Sequence, residues 1–132
     1  MSVALFIVAE RKVRGLSTDV DGKALGRSSH LDKLAGRAGV RPLMDFFSED
    51  PDEAAEAAEE LGRPVPPGGF PPVRWHPAAE GLASVRGMLA HLAAHPDAIP
   101  HAPVVAADLR AFESVLAGLA AKGVRWHLAV DY

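Results

Sequence analysis

Hydrophobic residues fall along this chain in three distinct spacings. Residues 3–9 (Val-Ala-Leu-Phe-Ile-Val-Ala) are continuously apolar, the pattern of a strand covered on both faces. Residues 124–132 alternate instead. Val124, Trp126, Leu128, Val130 and Tyr132 share one face, and Arg125, His127, Ala129 and Asp131 the other, as in a strand with one buried side. Helical spacing appears twice between them: Leu82, Val85, Leu89 and Leu92 form one stripe, and Leu109, Phe112, Leu116 and Leu119 a second.

Local stop and start residues delimit further elements. Ser29, with Asp32 three positions on, begins a helix that Gly39 ends. Asp50 as N-cap, Pro51 at the first position and Gly62 as terminator bound another. Residues 15–26 read as a polar, turn-rich segment, with Asp21-Gly22 its clearest turn. Residues 40–47 fit an edge strand, an extended segment or a short helix, because Pro42 cannot donate to a sheet ladder. His95-Pro96 closes the first leucine-striped helix and Gly123 the second.

These elements predict an α+β fold in a single globular domain, residues 1–132. It has a mixed three- to four-stranded sheet with the N- and C-terminal strands central, and about four helices packed on it. Residues 63–72, with five prolines and two glycines, are a surface loop rather than a domain boundary, since neither flank is large enough to stand alone.

Composition narrows the function classes. A net charge of −3 with scattered arginines argues against nucleic acid and an anionic membrane as partners. Cysteine is absent, which excludes disulfides, thiolate nucleophiles and zinc–sulfur sites. The first apolar run is too short to span a bilayer and lacks the layout of a signal peptide, so a cytoplasmic protein is expected. Abundant alanine, with Arg favoured over Lys, points to a GC-rich bacterial genome.

Four groups of residues invite chemistry. His91, His95 and His101 include a helical pair four apart, a spacing that can hold a metal ion, although no Glu follows His91 and prolines interrupt the approach of His101. Solvated histidines near a helix C-terminus are the plainer expectation. Asp19-Val20-Asp21-Gly22-Lys23 resembles the nucleophile motif of haloacid-dehalogenase-type phosphatases, but no apolar strand precedes it and Lys23 stands where Thr is wanted. A turn explains it better. The acidic helix carries seven of the 17 carboxylates, and Glu53, Glu56 and Glu60 on it make a docking surface for a basic partner, if it is more than a solvated face.

The last group is the repeated Val-Arg-Trp-His, at residues 73–76 and 124–127. His127 and Asp131 share a face, but four residues along a strand span about 13 Å, so they are no dyad. Adjacent strands would place His76 beside His127, with Trp75 and Trp126 paired on the opposite face, and Glu80, Asp45 or Glu10 as carboxylate partners for His127.

Asp21-Gly22-Lys23-Ala24-Leu25, residues 42–48 (Pro-Leu-Met-Asp-Phe-Phe-Ser), Glu80-Gly81-Leu82 and residues 126–131 together resemble a family of small bacterial proteins with no assigned activity. The resemblance covers most of the chain, implies a complete single-domain cytoplasmic protein, and transfers no catalytic residue.

The leading expectation is a non-enzymatic interaction or regulatory module, with a protein partner or as a homo-oligomer and without a cofactor. The alternative is a small-molecule-binding protein or hydrolase using His76, His127 and Glu80 at the sheet. The third is metal binding through His91 and His95.

Overall fold

The two terminal segments pair first. In the computed structural model, which describes residues 3–131, β1 (Ala4–Ala9) runs antiparallel to β3 (Arg125–Asp131), with Ala4 opposite Asp131 and Ala9 opposite Trp126. Tyr132, the last position of the alternating pattern, lies outside the described residues. On the other side of β3 lies β2 (His76–Pro77), also antiparallel, so the sheet order is β1-β3-β2. β2 is short because Pro77 has no N–H to give a ladder. The sheet is antiparallel in its named pairings, with a parallel bridge from Phe47 to Leu128 beside them. β3 takes the centre, and the far edge of β1 is covered at Leu5, whose N–H donates to the Gly22 carbonyl at 3.1 Å.

Strand alternation gives the sheet two faces. The inner one carries Leu5, Ile7, Trp126 and Leu128, all buried. Packed in the same core are α1 (Lys23–Arg27), α2 (Leu31–Ala38), α4 (Ala78–Ala94) and α5 (Ala102–Ala121). The α5 stripe is the expected one: Leu109, Phe112, Leu116 and Leu119 are all fully buried. In α4 the buried line runs through Leu82, Val85, Met88 and Leu92, while Leu89 is only partly covered. The stripe turns by one residue because α4 meets both α5 and α2, so its apolar face is wider than a single seam.

α3 (Pro51–Leu61) stands on the other side of the sheet. Its limits follow the sequence: Asp50 accepts the N–H groups of Asp52 and Glu53 at 2.8 and 3.2 Å, and Gly62 closes the helix in the left-handed conformation. Other limits differ from expectation. α2 begins at Leu31, and Ser28, not Ser29, shapes the turn before it by accepting the His30 N–H at 3.3 Å. Residues 23–27 are helical, although 23–26 were expected within the turn-rich segment, for a reason that lies on α5. The ambiguous stretch holds a 3₁₀ turn at Leu43–Phe46, after which Ser48 N–H donates to the Leu128 carbonyl at 3.1 Å and carries the chain along β3. Residues 63–69 are exposed and irregular. No helix among the described residues is long and apolar enough to cross a membrane.

Candidate functional site

The two copies of Trp-His meet reciprocally. His76 lies opposite Trp126, and the Trp75 and His127 rings stand 5.0 Å apart. This corrects the expectation of paired tryptophans and adjacent histidines. Antiparallel strands cannot set both Trp against Trp and His against His, and in the register of β2 on β3, with His76 opposite Trp126, each Trp faces the other copy's His. One pair therefore points inward and the other outward.

The inward pair is structural. His76 is 7% exposed, its ring edge-on to Phe46 at 5.2 Å, and Phe46 lies 5.1 Å from the fully buried Trp126. Neither His76 Nε2 nor Trp126 Nε1 has a hydrogen-bond partner among the described residues. Burial lowers the His76 pKa, and the nearby Arg41, Arg74 and His127 lower it further against an opposing pull from Glu80. The unfolded chain therefore takes up this proton more readily than the folded one. Stability is expected to fall as pH drops through the ordinary histidine range near 6.5 toward the lower folded value. His76→Phe should flatten that part of the curve and leave stability near pH ~8 unchanged or higher, since it removes an unpaired buried nitrogen. Urea titrations of both proteins at pH ~8 and pH ~5.5 check this, and an unchanged slope in the variant would refute it.

The outward pair lies in a groove of about 670 Å³ between the outer sheet face and α3. Phe6, Val8, Trp75, His127 and Ala129 form its floor, and Glu53 and Ala57 line its α3 side. Glu49 and Asp50 stand at its rim, and no Lys or Arg is among the residues that line it. His127 is 5% exposed, with Nδ1 3.0 Å from the Leu128 carbonyl oxygen. A carbonyl only accepts, so Nδ1 carries the hydrogen in the neutral ring and Nε2 is left as an acceptor. That Nε2 makes no hydrogen bond among the described residues.

The proposed partners of His127 are engaged elsewhere. Arg41 takes the Glu80 carboxylate at 3.0 Å and that of Asp45 at 3.9 Å. Glu10 binds Arg125 through two hydrogen bonds, which lower its pKa. The pocket expected from His76, His127 and Glu80 is thus not assembled: the two histidines are on opposite faces of the sheet, and Glu80 is held by Arg41. No carboxylate among the described residues hydrogen-bonds His127, whose ring is held by the Leu128 carbonyl instead.

The helical histidines do approach, with the His91 and His95 rings 4.7 Å apart in an open cleft beside Arg37 and Asp97. His101 is not with them. It starts α5 in the left-handed conformation, φ 58°, and lines a separate cleft between α1 and α5 with His30. Among the described residues no group of three or more His, Asp or Glu side chains gathers to hold a metal ion. The phosphatase-like motif ends at Lys23, the first residue of α1, which pairs with Asp21 at 3.5 Å; its two aspartates lie in a loop rather than at a strand end. On α3, Glu53 faces the groove, while Glu56 and Glu60 are exposed.

Trp75, Phe6 and Val8 complete the groove and were not among the expected site residues. The signal for the last two was present in the double-sided apolar run of β1, which implies an outer face with something to cover it. No family model, no curated protein and no solved structure matches the chain.

Proposed function

We propose that the chain is a cytoplasmic, non-enzymatic interaction module that docks a basic segment of a partner protein in the groove between α3 and the outer sheet face. One observation carries this reading: an apolar floor walled by carboxylates, with no cationic side chain in its lining. Phe6, Val8 and Trp75 are only half-buried, so the floor offers apolar area for a partner to cover. Glu53 at the wall, with Glu56 and Glu60 along the exposed side of α3, supplies a field of one sign that steers a cation toward it.

Titration with a short capped peptide rich in Lys and Arg tests the reading, followed by tryptophan fluorescence because Trp75 is in the floor. Saturable binding at low salt is expected, weakening as ionic strength rises past about 0.1 M, where the screening length shortens to about 10 Å. Ala57→Arg, at an exposed position in the groove lining, should weaken binding at least tenfold (about 1.4 kcal/mol) without changing the melting temperature. Equal binding of an acidic peptide, or no saturable binding of the basic one, would overturn the proposal.

A further inference from the structure

Resting on that docking reading, the geometry points to a more specific occupant: we propose that the groove is an arginine-recognition site. A guanidinium of the partner would lie against Trp75, with its N–H groups donating to His127 Nε2 and to the Glu53 carboxylate. Four features of the site select that group.

The first is the hydrogen-bond sense of His127. Its Nδ1 is committed to the Leu128 carbonyl, so the nitrogen left over accepts, and the occupant must donate. The residue is 5% exposed and lines the groove, so any group that enters meets a nearly buried acceptor rather than a water-covered one. The second is charge. Glu49, Asp50 and Glu53 face an entering group with no cation in the lining to offset them, which disfavours an anionic donor. Among these, Asp50 is occupied in capping α3 through two backbone N–H groups, whereas Glu53 has no ion pair or side-chain hydrogen bond among the described residues.

The third feature is the flat indole in the floor. Trp75 is half-buried, 5.0 Å from the His127 ring and tilted 53° to it, so a planar cation can meet an indole face and the imidazole acceptor together. The fourth is the apolar remainder of the floor, Phe6, Val8 and Ala129. A guanidinium is more weakly hydrated than an ammonium and loses less on entering such a surface, and its fork of N–H donors can serve two acceptors at once. A trimethylated lysine would satisfy the aromatic ring but donate no hydrogen bond, leaving Nε2 unpaired.

The experiment compares three capped peptides of equal length and charge on the folded protein: one with arginine, one with lysine, and one with dimethylarginine, which keeps the charge but loses the bidentate fork of donors. The arginine peptide is expected to bind about tenfold more tightly than either of the others. His127→Phe keeps an aromatic ring but removes the acceptor, and should abolish the arginine preference. His127→Gln restores an acceptor near the Nε2 position and should recover much of it. Equal affinity for the three peptides, or an undiminished preference in His127→Phe, overturns the arginine site while leaving the docking reading in place. Failure of every basic peptide to bind removes both. If both His127 variants unfold, the three-peptide comparison on the unaltered protein decides alone.

Discussion

Gly81→Val is expected to destabilise the protein by about 3 kcal/mol or more. A Cβ at Gly81 would sit 2.6 Å from Cε2 and 2.8 Å from Nε1 of Trp126, distances that real side chains do not tolerate. The indole has little room to retreat. It is fully buried, with Phe46 5.1 Å away, and the Arg41 guanidinium lies 4.3 Å from the Phe46 ring. Overpacking of this kind typically costs about 1–3 kcal/mol and occasionally more. Here it would fall on the central strand of the sheet, in a domain whose whole stability is about 5–15 kcal/mol. Gly81→Ala is the sharper test because intrinsic propensity predicts the opposite sign. In an exposed helix the same change stabilises by about 0.5–1 kcal/mol. Gly36 in α2 is such a position, with open space where its Cβ would be. Urea denaturation should show Gly36→Ala stabilised and Gly81→Ala destabilised, and two shifts of equal sign would sink the argument.

The contact between Gly81 and Trp126 also marks where sequence reasoning stops. Elements defined by their own residues were legible: α3 begins and ends where Asp50 and Gly62 place it, and alternation correctly put Trp126 and Leu128 on a common buried face. What depends on a distant partner was not. Alternation says that Trp75 and His76 point opposite ways, but not which way, because that is decided by the direction and register of β2 against β3. Spacing found the leucines of α4 but could not show that α2 widens its buried face as far as Met88. The groove behaves alike. His127 and Glu53 were each visible as candidates for separate reasons, one on a strand and one on an acidic helix. Their sharing a cavity follows from α3 lying over the outer face, and no local pattern in residues 51–61 states which surface that helix covers.

Asp108→Ala is the second substitution with a large expected effect, and it acts on a helix that does not contain it. α1 has five residues, too few to sustain itself, and the residue preceding it, Gly22, has no side chain with which to cap it. The half-buried Asp108 on α5 supplies the cap instead: its Oδ2 accepts the N–H groups of Ala24 at 2.9 Å and Leu25 at 3.3 Å. Hydrogen bonds to a charged group are worth about 1.5–3 kcal/mol, and two donors lose their acceptor together. A loss of about 2–3 kcal/mol is therefore expected for Asp108→Ala, and less for Asp108→Asn, which keeps an acceptor oxygen without the charge. The damage should be local before it is global. Leu25 is 1% exposed in the core, and Gly22 accepts from both Leu5 and Gly26, so α1 is fastened to β1 as well as to α5. Hydrogen exchange should show the amides of Ala24 and Leu25 losing protection in the alanine variant, ahead of those in the middle of α5. If those two amides stayed as protected as in the parent protein, Asp108 would be a passive surface acid and α1 would need another source of order.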